Sequence, residues 1–164
     1  MRQSSVQSIV QALNEASVKY LIAGGMAVVA HGHVRFTADV DLILDLNSTN
    51  VHKALDALAQ LGYRPRPPVP LEHFADAAMR EQWIREKCLT VFTLFSPEHD
   101  MTEVDLFVRA PFEFEKAYAS SLRAEISPTV LATFVGLNDL IAMKRQVGRP
   151  QDLADIEYLR QLHG

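Results

Sequence analysis

The sequence predicts an α+β domain: a small mixed β-sheet flanked by helices, with a helical C-terminal portion at about 137–164. Three observations predict it. Alternating apolar and polar residues at 39–44 and 103–108 read as half-buried strands. Apolar residues at helical spacing open the chain and return near its end. Glycine, proline and asparagine clusters punctuate these segments. A chain of 164 residues fits a single domain over 1–164, long enough to bury a proper core.

Val6, Ile9, Val10 and Leu13 form the first helical stripe, with Ser4 or Ser5 as N-cap. Tyr20 to Ala23 is a short apolar strand ending at Gly24-Gly25, and Met26 to His31 is a helix begun at the glycines. Asp39 to Leu44 is the second strand. Asn47-Ser-Thr-Asn50 then starts a helix over Val51 to Leu61, closed by Gly62. Arg64 to Pro70 holds four prolines in seven residues, which excludes a helix interior or a central strand, so it reads as a loop. Leu71 to Lys87 is expected to be one helix. Leu89 to Phe95 and Glu103 to Val108 are spaced as an antiparallel hairpin. Pro111 to Ala119 reads as helix, Leu122 to Ile126 and Val130 to Val135 as short strands, and Leu137 to Val147 and Gln151 to Leu162 as the last two helices. Pro150 suits the first turn of the final one.

The formal net charge of −4 argues against a strongly basic nucleic-acid-binding surface while leaving room for a local patch. One cysteine, Cys88, allows no intrachain disulfide and fits a reducing compartment. The N-terminus has no signal-peptide pattern, and no apolar run approaches the roughly 18 residues of a membrane span, so a cytoplasmic protein without membrane contact is expected.

Chemistry concentrates at Asp39 and Asp41. Strand alternation puts both carboxylates on one face about 7 Å apart, with Val40, Leu42 and Leu44 turned to the core. Paired anions on a half-buried strand repel and are costly to desolvate. A divalent cation relieves both penalties, and hard oxygen donors favour Mg²⁺ or Mn²⁺. Met101 to Val108 alternates likewise, placing Glu103, Asp105 and Phe107 on one face. With adjacent strands about 4.8 Å apart, an in-register neighbour would bring Asp105 to the pair. Three such carboxylates suit two ions about 3.5–4 Å apart.

Gly24-Gly25, Asp39-Val-Asp41 and the later Asp105 resemble the signature of the polymerase-beta-like nucleotidyltransferase superfamily. Ala30-His-Gly32, Arg35-Phe-Thr37, Leu140-Ile-Ala-Met-Lys144 and Arg149-Pro-Gln-Asp-Leu-Ala-Asp155 are similar to a bacterial subgroup that includes abortive-infection (AbiEii-type) toxins and small relatives. The resemblance implies the nucleotidyltransferase fold. It implies transfer of a nucleoside monophosphate from an NTP to a hydroxyl of a protein or RNA acceptor, with release of pyrophosphate. Asp39, Asp41 and Asp105 would hold two metal ions. Gly24 and Gly25 would cradle phosphate, and Lys144, facing the acids across a cleft, would offset its charge. Arg35 and Thr37 would meet the nucleotide, and Asp155 would orient Lys144. A cognate antitoxin or toxin partner also follows. The small size leaves little room for a separate acceptor domain, which favours either a protein or RNA substrate gripped on the surface or a homo-oligomer supplying the missing wall. Two other readings keep the same acids: a catalytically silent antitoxin or scaffold of this fold, and a two-metal phosphohydrolase releasing inorganic phosphate.

The remaining candidates read as structural. His31 and His33 lack a third zinc ligand at suitable spacing and read as loop residues. Cys88 reads as a buried small residue, and Trp83, Phe92 and Phe95 as core. Arg64, Arg66, Arg80, Arg85 and Lys87 read as solvated surface, with a basic rim for a polynucleotide as the alternative.

Overall fold

The computed structural model describes residues 1–164. Seven strands form one mixed sheet: β1 (Tyr20–Ala23), β2 (Asp39–Leu44), β3 (Arg64–Pro65), β4 (Val91–Phe95), β5 (Glu103–Phe107), β6 (Leu122–Ser127) and β7 (Val130–Phe134). Their spatial order is β3-β4-β5-β2-β1-β7-β6. The apolar run of β1 is buried throughout and takes the interior of the sheet, antiparallel to β2 and parallel to β7. β2 in turn runs parallel to β5. β4 and β5 form the antiparallel hairpin that their spacing predicts. The sheet is wider than expected because Arg64–Pro65 joins it beyond β4. Proline is tolerated there, at an edge where its missing N–H breaks no ladder.

The period-two pattern decides what each face buries. Val40, Leu42, Val104, Leu106, Phe92 and Leu94 point into one continuous core with the apolar stripes of α1 (Gln3–Glu15) and α3 (Ser48–Gln60). α1 starts at Gln3 with Arg2 as its N-cap and no side-chain cap bond, two or three residues before the expected serines; Ser5 turns inward and hydrogen-bonds His99 Nδ1 at 2.8 Å. α3 is capped by Asn47, whose side chain accepts from the Asn50 N–H at 2.9 Å.

The stretch expected as one helix over Leu71 to Lys87 is two. A 3₁₀ turn (Leu71–Ala75) ends at Asp76, which is extended and caps α4 (Ala77–Lys87) by accepting from the Ala78 N–H at 2.9 Å. α4 lays Trp83 on Phe92, ring centroids 5.0 Å apart. Arg80 is buried rather than solvated, because its guanidinium donates to the Phe74 carbonyl and lies over the Phe74 ring. Cys88 is exposed rather than buried, since it leaves the helix in the left-handed conformation, φ +50°. Phe95, unlike Phe92, is only half-buried, on the opposite face of β4.

The remaining helices are α2 (Gly24–Ala30), α5 (Phe114–Ala119), α6 (Leu137–Val147) and α7 (Pro150–His163). α6 ends at Gly148, φ +69°, and α7 resumes at Pro150 and packs on α6. No helix is long and apolar enough to cross a membrane.

Candidate active site

β2 and β5 align the acids by register. Asp41 lies opposite Asp105, and Asp39 opposite Glu103. All four are half-buried on the face away from the core. Asp105 is fixed by Thr93 of β4, whose hydroxyl donates to Oδ1 at 2.7 Å. The ladder that pairs Thr93 with Asp105 makes this contact.

The acids pay for their proximity in charge. Burial, then the negative charges of Asp105 and Asp39, push the Asp41 carboxyl up to about 7, with Lys144 acting in the opposite direction. Burial and the charges of Asp105 and Glu103 also raise Asp39. No three ligating side chains close into a ready metal cage: Asp41 and Asp105 are the directly paired acids, and Asp39 sits two residues away along β2. The donor chemistry nevertheless fits a hard divalent cation, which would relieve the repulsion expressed at Asp41.

β1 and α2 supply the opposite wall. Gly24 turns at φ +62°, and a Cβ there would stand 1.9 Å from Asp41 Oδ2. At Gly25 a Cβ would meet Thr37 Oγ1 at 2.6 Å and Arg35 Nη1 at 3.3 Å. Both positions therefore bring bare backbone against the acids and against the segment leading into β2. In that segment Arg35 and Thr37 are half-buried, while Val34 and Phe36 are exposed.

Lys144 of α6 is buried, and its ammonium is already engaged: Nζ lies 2.9 Å from Asp155 Oδ2 and 3.3 Å from Asp152 Oδ1. Arg35 Nη2 donates to Asp155 Oδ2 at 3.1 Å, while Nε lies equally near Oδ1 without a hydrogen bond's alignment. Gln151 donates to Asp155 Oδ1 at 2.9 Å. Arg149 donates to Asp152 Oδ2 through its backbone N–H (3.2 Å) and Nε (2.8 Å). Burial alone would raise both aspartates, but the donors from Lys144, Arg149 and Gln151 hold them below the usual carboxylate range.

These parts enclose a polar cleft of about 290 Å³ lined by Gly24, Gly25, Arg35, Thr37, Asp39, Asp41, Lys144 and Arg149, among others. A larger hollow of about 370 Å³ between α1, α2 and β6 is mainly apolar and shares only Thr37 with the cleft. Its one acidic lining residue, Glu125, stands apart from the paired carboxylates, so the chemistry belongs to the smaller space. Asp105 does not line the cleft itself but flanks Asp41 at its side. Arg149 and Thr93 are additions to the residues singled out from sequence. Alternation of Val91, Thr93 and Phe95 hints at Thr93; Arg149 carried only the Arg-Pro motif as a signal.

The chain matches the family described as a nucleotidyltransferase of unknown function, DUF6036, over residues 4–160. It belongs to that family. The nucleotidyltransferase is also similar in fold to a crystal structure of ANT(2")-Ia in complex with adenylyl-2"-tobramycin. That similarity has a TM-score of 0.62 at 14% identity, over 99% of this chain and 89% of the other. No curated protein matches. The family and the fold agree with the α+β nucleotidyltransferase architecture and a transferase activity; neither finding reaches the abortive-infection subgroup.

Proposed function

We propose that this nucleotidyltransferase moves a nucleoside monophosphate from an NTP to a hydroxyl of a protein or RNA acceptor and releases pyrophosphate. The observation that carries the reading is the register pairing of Asp41 with Asp105 beside Gly24, whose missing side chain lets bare backbone come up against the Asp41 carboxylate. Asp39, Asp41 and Asp105 would hold Mg²⁺ or Mn²⁺, two ions by the number of donors. A bound cation supplies charge neutralisation and polarises the phosphate oxygens.

The chain's own groups do the rest. The backbone at Gly24 and Gly25 receives the phosphates. Arg35, Lys144 and Arg149 line the same cleft and offset anionic charge, with Lys144 positioned by Asp155. Asp105, oriented by Thr93, accepts the proton of the attacking hydroxyl. The acceptor oxygen bonds to the α-phosphorus as the bond from that phosphorus to the bridging oxygen breaks, and pyrophosphate leaves. Such marking of a cellular protein or RNA in the cytoplasm would suit a toxin held in check by a cognate antitoxin, a role that rests on the sequence resemblance alone.

The test is transfer of label from an α-³²P NTP with Mg²⁺. Asp41→Asn and Asp39→Asn should each reduce transfer at least about 10³-fold with the circular dichroism spectrum unchanged. Wild-type transfer by both variants would sink the mechanism.

A further inference from the structure

Resting on that reading, we propose that the open face of β5, β4 and β3 is the acceptor platform, and that it takes the 3′ end of a single-stranded polynucleotide. Displacement at phosphorus places the attacking oxygen in line with the leaving one. Pyrophosphate leaves toward Gly24 and Gly25, at the end of β1. The acceptor then arrives from the far side of the acids, over β5 and the strands beyond it.

The far end of that side carries an aromatic ring and two arginines. Strand pairing sets Asp39, Glu103, Phe95 and Arg64 in one row across β2, β5, β4 and β3. Residues of this face stay half-exposed, whereas the alternate residues Phe92, Leu94, Val104 and Leu106 are buried in the core. Arg66 lies over the Phe95 ring at 4.4 Å and Arg64 at 5.8 Å. Arg66 is neutralised and held by Glu103, its Nε donating to Oε2 at 2.9 Å. Arg64 is exposed and has no carboxylate partner. A guanidinium over an aromatic ring is a surface on which a base can stack, and an unpaired guanidinium beside it takes the adjoining phosphate. The overall charge is negative, so these arginines are a local feature of the face. A peptide hydroxyl would use neither the stack nor the free cation.

The experiment is fluorescence anisotropy of a 5′-labelled short single-stranded oligonucleotide, as RNA and as DNA, on the full chain without NTP. Arg64→Ala and Phe95→Leu should each weaken binding about tenfold, the scale of one stacked base. Arg64→Ala should also lower the slope of log affinity against log salt by about 0.7. Arg64 is exposed, so its variant folds as the wild type does. The RNA and DNA arms identify the sugar. Binding by neither oligonucleotide, or equal binding by wild type and both variants, overturns the platform. With labelled NTP added, the bound oligonucleotide should be extended at a free 3′-hydroxyl and not at a 3′-deoxy end. Transfer only to protein overturns the acceptor assignment while leaving the transferase reading intact. Absence of metal-dependent NTP binding overturns that reading instead.

Discussion

Gly24 carries two constraints at once: a left-handed backbone, φ +62°, and a carboxylate oxygen where a Cβ would go. Gly24→Ala adds a backbone cost of about 1 kcal/mol and forces Asp41 aside. The expected outcome is loss of transfer together with a Tm lowered by several degrees, read by thermal circular dichroism. Asp41 sets the pH behaviour. Its folded pKa of about 7 lies above the unfolded value of 3.8, so the folded state binds the extra proton between them. Stability linked to this group is complete below pH 3.8 and is lost as pH rises through about 7. Metal-free protein should therefore melt lower at pH 8 than at pH 5.5, and Asp41→Asn should remove most of that difference, Asp39 being raised in the same direction. Mg²⁺ should raise the melting temperature more at pH 8. The depressed Asp152 and Asp155 act in the opposite direction but only below the ordinary carboxylate range, outside this window. Asp39, Asp41 and Asp105 were legible from sequence because strand alternation depends only on neighbours. Thr93 and Arg149 were not, because their positions depend on a partner strand and on a helix packed from elsewhere.

Two segments distant in sequence are tied by charge. Arg35, ahead of β2, and Lys144, in α6, both converge on Asp155 of α7. Asp155→Ala would leave the buried ammonium on Asp152 alone and a half-buried guanidinium without its carboxylate. It should cost about 3–5 kcal/mol in urea unfolding, while Arg35→Ala, removing a less buried partner, should cost less. A double-mutant cycle between the two should be clearly non-additive. The same network extends how Lys144 is understood: the sequence resemblance implies that Asp155 orients it, and the fold adds Asp152, so the ammonium sits between two aspartates at the cleft wall. Element ends show a similar division. Gly62 and Pro150 act where local backbone preference predicts. The break at Asp76 was hidden because helical periodicity continues across it. The edge pairing of Arg64–Pro65 was hidden because proline is penalised in a sheet interior and tolerated at its rim.

Across the whole molecule the acids sit at the centre of the sheet, on β2 and β5, with β3 and β6 at the rims. Hydrogen exchange should be slowest at Leu21, Ile22, Val40, Leu42, Val104 and Leu106, and clearly faster at the β3 and β6 edges. Uniform exchange across the sheet would contradict that ordering. The position follows from hydrophobicity: β1 is buried along its length, so it takes an interior place and carries β2 with it. By itself the sequence determined which residues lie on which face, where most elements start and stop, and which acids share a side, because these depend on local periodicity and backbone preference. Only the tertiary structure decided that Asp105 stands opposite Asp41, that Asp152 joins Asp155 around Lys144, and that Phe95, Arg64 and Arg66 extend the acid face. Those contacts join residues far apart in the chain, and strand order and helix packing set them through the burial of the whole core.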